Sequence, residues 1–213
     1  VKNKYEKTGG NVLKKTILVI DACVRREESR TKKLLDAALD TVRKEHPDWN
    51  LEILNLMDLD LMYWKTETLR ERDELLAKKE YDAPVFKYGN QFREADGMII
   101  AAPFWDLSVP AVLKVYIENV SAEGITFGCN EEGLYGLCKA KWMLFLTTRG
   151  GIWADSDMEQ GSTYMEALCK FFGIDEYACV YADGIDIQEL DGEEILREAI
   201  DETKTICSRL CAE

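Results

Sequence analysis

Two continuous apolar runs, GMIIAAP at 97–103 and KWMLFLTT at 141–148, constrain the fold of this chain more than any other feature. Neither run alternates apolar with polar residues, so a strand formed from it would be buried on both faces. Strands of that kind belong to parallel sheets that helices cover on both sides. The runs therefore predict an α/β protein with a parallel sheet at its centre.

The remaining segments supply three more strands and the helices between them. Further strands are predicted at TILVI (16–20), LEILNLMD (51–58) and YACVYADG (177–184). Helical spacing of apolar residues predicts helices around 34–42, up to about residue 95, and at 109–120, 163–173 and 193–210. Residues 59–80 are predicted as a long connection with some helix. Strands thus alternate with helices, as expected for parallel pairing.

Length, composition and charge limit the classes of protein to which the chain can belong. The length of 213 residues suits a single domain, and a hydrophobic content of 46% can fill its core. Residues 1–14 are polar and are predicted as a loose lead-in without a signal peptide. The seven cysteines include no C-x-x-C spacing, which favours free thiols in the cytoplasm. The net charge of −13 argues against nucleic acids and anionic membranes as partners, and no run is long enough to span a bilayer.

Parallel sheets bind ligands beyond the carboxyl ends of their strands, so the residues there are the candidates for a site. After the first strand, Ser29 and Thr31 lie among Arg25, Arg26 and Arg30 in an otherwise acidic chain. A loop that enters a helix offers free amides and a positive dipole, so this segment could bind a phosphate. The alternative is that Ser29 simply caps a helix with a basic outer face. Neither a G-x-G-x-x-G motif nor a P-loop is present.

The third and fourth strand ends also carry suggestive residues. Phe104 and Trp105 directly follow a buried strand and could pack against a planar ring, unless both are core residues beneath a loop. The fourth end reads TTRGG, in which Gly150 and Gly151 permit close backbone approach and Arg149 could pair with an anion. A structural turn is the alternative for this segment.

Three stretches in this order, PFWDLSVPAVLKVYIENV, EGITFGCNEEGLYGL and KWMLFLTTRGG, resemble the FMN-dependent NADH azoreductases and the related NAD(P)H:quinone oxidoreductases. The resemblance runs from about Thr16 to the last helix. It implies a flavodoxin-like three-layer sandwich with a five-stranded parallel sheet and helices on both faces. It also implies noncovalent FMN, NADH or NADPH as the donor, and ping-pong reduction of quinone, azo or nitro compounds, with the flavin rather than a side chain carrying the chemistry.

The resemblance also assigns residues to the cofactor. Ser29, Arg30 and Thr31 match a serine-rich phosphate turn, and Cys23 falls where the family often has serine. The family's P-M-Y-N-F turn along the flavin ring and its S-R-G-G turn beside the pyrimidine match two further segments. The residues predicted to bind FMN are Cys23, Arg25, Ser29, Arg30, Thr31, Pro103, Phe104, Trp105, Asp106, Leu107, Thr148, Arg149, Gly150 and Gly151.

Two departures from the family concern the substrate. Asp106 replaces the usual asparagine, which removes an amide donor and adds a negative charge. Phe127, in the stretch implicated in the active-site wall, and Cys129, where relatives can carry an aromatic residue, are the predicted substrate-pocket residues. The family also implies a homodimer in which each subunit completes the flavin site of the other.

Apolar residues that follow the third strand support a dimer face. Helix 109–120 and the following segment carry many apolar residues: Val112, Val115, Tyr116, Val120, Ile125, Phe127, Leu134, Tyr135 and Leu137. Residues 59–94 of the same chain could cover them instead.

His46 is the only histidine, so neither a Ser-His-Asp triad nor a histidine-rich metal site is expected, and no metal is predicted. A flavodoxin-type electron carrier and a non-catalytic binding protein remain as alternatives.

Overall fold

The computed structural model describes residues 14–212 and has a five-stranded parallel sheet at its centre. The order of strands across this sheet is β2-β1-β3-β6-β7, the order of flavodoxin-like doubly wound sheets. The predicted lead-in lies outside the described residues except for Lys14. The strands are β1 (Thr16–Asp21), β2 (Asn50–Asn55), β3 (Gly97–Ala101), β4 (Phe127–Asn130), β5 (Gly133–Gly136), β6 (Trp142–Thr148) and β7 (Glu176–Ala182).

Helices cover both faces of the sheet, as the continuous apolar runs predicted. Alternate residues of one strand serve the two faces: Ile17 and Val19 pack under α1 and α6, whereas Leu18 and Ile20 pack under α3, α4 and α5. A run that is buried on both sides therefore has no polar positions. The helices are α1 (Arg30–Glu45), α2 (Thr66–Ala77), α3 (Lys87–Glu94), α4 (Ala111–Val120), α5 (Gly161–Phe172) and α6 (Gly192–Cys211).

The predicted elements are confirmed, with shifts at several ends. The second strand was predicted to reach residue 58 but stops at Asn55, because the Asn55 side chain accepts a hydrogen bond from the Met57 amide at 3.0 Å and turns the chain. The fourth helix was predicted from residue 109 but begins at Ala111, with Pro110 as its N-cap residue. Gly173, with φ of 75°, ends α5 as expected for a glycine in the left-handed region.

A short antiparallel hairpin of β4 and β5 was not predicted. Its strands pair from Phe127 with Gly136 to Asn130 with Gly133. Gly136 packs directly on the end of α5: a β-carbon there would lie 2.0 Å from the Gly173 amide nitrogen and 2.0 Å from the Phe172 carbonyl carbon. The hairpin can dock at this place only because residue 136 has no side chain.

The predicted dimer face is partly buried inside the chain. Tyr116 is completely buried against Phe92, and Val120 is also in the core. Ile125 is covered by residues that follow α2 or end it, including Tyr81 and Leu76, so the alternative in which residues 59–94 fold over this surface holds here. Tyr116 therefore cannot contribute to a subunit interface, although the sequence analysis placed it on the predicted dimer face.

Within residues 14–212, none of the helices has both the length and the apolar sequence needed to span a bilayer. All seven cysteines lie in this part of the chain and all are free thiols.

Candidate functional site

A pocket of about 260 Å³ lies beyond the carboxyl ends of the parallel strands. The loops that follow β1, β3, β6 and β7 all contribute to it, which is the place where sheets of this topology bind ligands. Its lining residues are Arg25, Glu28, Ser29, Arg30, Pro103, Phe104, Trp105, Thr148, Arg149, Gly150, Ile185 and Asp186. Nine of the residues predicted from sequence are in this set, whereas Glu28, Ile185 and Asp186 were missed.

One end of the pocket is the start of helix α1. Ser29 is its N-cap residue, with extended backbone (φ −78°, ψ 127°), and its hydroxyl makes no hydrogen bond to the first turn. The first amides of a helix have no intrahelical acceptor, and the dipole favours an anion in front of them. Thr31 is fully buried behind this turn, where its hydroxyl lies 2.7 Å from that of Thr148. Thr31 thus joins the start of α1 to the end of β6 and does not line the pocket.

The basic residues of the first loop have different partners. Arg26 pairs with Asp58 at 2.6 Å, and this contact keeps the pKa of the Asp58 carboxyl below its ordinary value. Arg30 pairs with Asp186 at 2.7 Å across the pocket. Arg25 forms no ion pair with any residue in 14–212 and lines the pocket, so its charge is available to a ligand.

The other end of the pocket is an aromatic turn that follows β3. Trp105 and Ser108 exchange two backbone hydrogen bonds, at 3.0 and 2.9 Å, around Asp106 and Leu107. Asp106 and Leu107 both have positive φ, 49° and 67°, which is unfavourable for a leucine and marks local strain. The turn leaves Trp105 39% exposed beside the pocket. It presents an aromatic surface that the other residues of the described range 14–212 leave partly uncovered.

Arg149 is buried rather than open to the pocket. Its side chain is only 1% exposed and lies near two carboxylates, with Nη2 3.3 Å from Glu159 Oε1 and Nη1 3.7 Å from Asp183 Oδ1. The guanidinium carbon is 4.5 Å from the centre of the Tyr181 ring and 5.7 Å from that of Phe104. The guanidinium is thus surrounded mainly by residues of the chain, although Arg149 also lines the pocket.

Several other predicted residues do not line the pocket. Cys23 is buried beneath the first loop, where its amide donates to Asp21 Oδ1 at 2.9 Å; burial, helped by the Asp21 charge, raises the pKa of its thiol. Asp106 and Leu107 point to solvent, and Gly151 lies behind Trp153. These residues support the loops or flank the pocket.

The two predicted substrate residues lie on the hairpin and not at this pocket. The Phe127 ring packs on Phe171 with centroids 4.6 Å apart. Cys129 is exposed and lines a separate cavity of about 560 Å³ together with Tyr81 and Tyr135. Within one copy of the chain these residues do not share the pocket with Phe104, so the predicted role requires a second copy.

Comparison with known proteins gives consistent matches over nearly the whole chain. A family model described as "Flavodoxin-like fold" matches residues 15–206. An FMN-dependent NADH:quinone oxidoreductase of Clostridium beijerinckii is 35% identical over 192 residues, which cover 88% of this chain and 96% of that protein. Two solved structures from Bacillus anthracis are also similar. An azoreductase has a TM-score of 0.82 at 26% identity, over 92% of this chain and all of that one (100%). An FMN-dependent NADH-azoreductase in complex with FMN has a TM-score of 0.81 at 25% identity, over 93% and 99% of the two chains.

Proposed function

Since this chain belongs to the flavodoxin-like family of FMN-dependent NADH:quinone oxidoreductases and NADH-azoreductases, we propose that the pocket between α1 and the aromatic turn is its FMN site. The protein is an oxidoreductase that uses FMN and takes its electrons from NADH. One observation carries the assignment of the site: a single cavity joins Ser29, at the start of a helix, to Phe104 and Trp105. A phosphate-binding site and a surface that binds the flavin ring are the two features that FMN requires.

The phosphate end fits a monophosphate. Ser29 offers a hydroxyl that makes no hydrogen bond to the first turn, the first turn of α1 offers amides, and Arg25 offers a charge. Charge-assisted hydrogen bonds of this kind are the strong ones. Arg30 can join them only if its pair with Asp186 opens or shares the anion, because the two side chains are 2.7 Å apart.

The aromatic end fits a planar ring. Phe104 and Trp105 give it an apolar surface, and the backbone at Thr148 and Gly150 lines the opposite side. A β-carbon at Gly150 would lie 2.7 Å from Asp186 Oδ2, so the glycine leaves room that any side chain would fill. The enclosed volume of about 260 Å³ is below the range of about 300–1,000 Å³ that is usual for ligand pockets. A ring in this site would therefore remain partly uncovered by its own chain.

When bound, FMN supplies a ring that accepts two electrons as hydride from the nicotinamide and releases them to an acceptor. The residues of the chain hold and orient that ring, and the exposed side of Trp105 leaves a place for a second planar molecule. Quinone, azo or nitro compounds fit this place. Donor and acceptor would use it in turn, which is ping-pong kinetics. Steady-state NADH consumption with a quinone tests the proposal, because an electron carrier without its own substrate would show none.

We expect the purified protein to contain FMN and not FAD. The pocket has one phosphate seat and lacks the glycine-rich fingerprint that binds a dinucleotide pyrophosphate. Denaturing the coloured protein and separating the released flavin by chromatography checks this. FAD as the main species would show that a second nucleotide site has been overlooked.

The working unit is proposed to be a homodimer with the flavin sites at its interface. The hairpin leaves Leu134 64% and Tyr135 45% exposed, and Tyr63, before α2, is 62% exposed. Clusters of exposed apolar residues mark interaction surfaces, and the partly covered ring site needs a further wall. In such a dimer the hairpin residues Phe127 and Cys129 could line the pocket of the second copy.

We expect Leu134→Glu to split the dimer and to lower turnover together with it. The side chain is exposed in the single chain, so a charge there leaves the fold intact but disfavours an apolar interface. Sedimentation velocity and NADH:quinone activity measured at the same concentration check the result. The matched control is Ile53→Glu, on edge strand β2 and 45% exposed, which should stay dimeric and active. A fully active wild-type monomer would contradict both the interface and the shared site.

A cytoplasmic location belongs to the same proposal. It is supported by the seven free thiols, because disulfides form and persist in oxidising secretory compartments, whereas thiols stay reduced in the cytoplasm.

A further inference from the structure

Three charged residues that no sequence motif groups together form a buried cluster beside the pocket. Arg149 follows β6, Asp183 follows β7 and Glu159 precedes α5, and their side chains are 1%, 12% and 5% exposed. Hydrogen bonds to the carboxylates offset the cost of burying such charges, and three of the four carboxylate oxygens accept them here. Asp183 Oδ1 is the one without a hydrogen-bond partner within residues 14–212. The partners of the other three oxygens show what the cluster does.

Each carboxylate of the cluster also accepts hydrogen bonds from backbone amides of the wall segment, residues 150–162, which starts at the pocket residue Gly150 and packs against Phe104 through Trp153. Asp183 Oδ2 accepts hydrogen bonds from the amides of Trp153 and Ala154, both at 2.8 Å. Glu159 Oε1 accepts from the amides of Gly161 and Ser162, both at 2.9 Å, and its Oε2 accepts from the Ser162 hydroxyl. The wall segment is thus held near its start and at its end.

Arg149 is the charge that keeps both carboxylates in place. Its guanidinium lies between the Tyr181 and Phe104 rings, and its Nη1 and Nε have no hydrogen-bond acceptor within residues 14–212. It therefore acts on Glu159 and Asp183 through charge and on Phe104 through packing. Trp153, held by Asp183, packs on the same Phe104 ring with centroids 5.6 Å apart. The cluster joins the amide contacts of the wall segment to the aromatic surface of the pocket.

We propose that Arg149, Glu159 and Asp183 are positioning residues that fix the wall segment and the Phe104 and Trp153 rings for ring binding, and that Arg149 makes no contact with the phosphate. This inference rests on the proposed FMN site and departs from the simplest interpretation of the T-R-G-G turn, in which Arg149 pairs with an anion. It assigns the phosphate to Ser29, Arg25 and the start of α1. The two interpretations differ in what a phosphate-free flavin should do.

The test compares binding of FMN and of riboflavin, which lacks the phosphate, to the apoprotein. In Arg149→Lys, which keeps the charge but loses the planar fork, both affinities should fall by the same factor, so that their ratio stays at the wild-type value. In the control Ser29→Ala, only the FMN affinity should fall. A lower FMN-to-riboflavin ratio in Arg149→Lys would place the guanidinium on the phosphate and overturn the inference.

Amide hydrogen exchange gives a readout that needs no flavin. In Arg149→Met the amides of Trp153 and Ala154 should exchange faster by about a hundredfold, because loss of one partner leaves two buried carboxylates uncompensated. Amides of β1 and β3 serve as the internal reference, and Asp183→Asn and Arg149→Lys provide milder variants if Arg149→Met does not fold. Wild-type exchange at Trp153 and Ala154 in all three variants would overturn the inference. Failure of the wild type to bind either flavin would instead overturn the proposed function alone.

Discussion

Ser29→Asp is expected to abolish FMN binding at micromolar concentrations without destabilising the apoprotein. Aspartate is as good an N-cap as serine, and its charge interacts favourably with the helix dipole by about 0.3–1 kcal/mol. The same charge faces the phosphate. Two unit charges at about 4 Å repel by about 4 kcal/mol at an effective dielectric constant of about 20, which lowers the affinity on the order of a thousandfold. Flavin titration and thermal unfolding of the apoprotein measure the two effects separately.

The control for this prediction is Ser29→Asn. Asparagine matches the shape of aspartate and also caps helices, but it carries no charge. It should reduce FMN affinity far less than aspartate does. Equal losses in the two variants would mean that size rather than charge is responsible, and that the phosphate does not lie at the start of α1.

Tyr116→Glu is expected to unfold the protein. Tyr116 is completely buried, in contact distance of Phe92 and Tyr88. Replacing a buried aromatic ring by a smaller side chain costs about 3–5 kcal/mol, and burial of a carboxylate there adds a further penalty. Because domains of this kind are stable by about 5–15 kcal/mol, the sum leaves little or no native state. Circular dichroism and urea unfolding check the result.

Tyr116→Phe is the matched control, and its effect should be small or stabilising. The Tyr116 hydroxyl has no hydrogen-bond partner within residues 14–212, and burial raises the pKa of that hydroxyl. Removing an unsatisfied buried polar group should not destabilise the fold. A clearly destabilised Tyr116→Phe would show that the hydroxyl is bound to an internal water.

The fold was largely predictable because its strands carry a strong local signal. The apolar runs that became β3 and β6 have no polar position, and only a sheet covered on both faces explains them. The β4 and β5 hairpin carries no such signal, since each strand has four residues and Gly128, Gly133 and Gly136 interrupt them. Its position depends on contact with the end of α5, which tertiary packing decides.

The site was predictable where residues directly follow a strand, and not where distant loops meet. Phe104 and Trp105 come immediately after a buried run, and the topology places such residues at the ligand-binding edge. Asp186 lies further along the loop after β7, so no strand-end rule marks it. Arg149 follows a strand and lines the pocket, but its burial depends on Glu159 and Asp183, whose proximity only the folded chain reveals.

The contact between Gly136 and the end of α5 has a consequence for how chains of this shape can diverge. A β-carbon at Gly136 would overlap the backbone of Phe172 and Gly173, and one at Gly173 would come within 3.0 Å of the Gly136 α-carbon. A side chain at Gly136 therefore requires the hairpin to move, whereas one at Gly173 requires a smaller shift and a strained left-handed backbone with φ of 75°. Homologous chains that keep the hairpin in this place should retain both glycines, whereas chains that lose either one should place it differently. Comparing these two positions among homologues would then sort them by the position of the hairpin without any knowledge of their substrates.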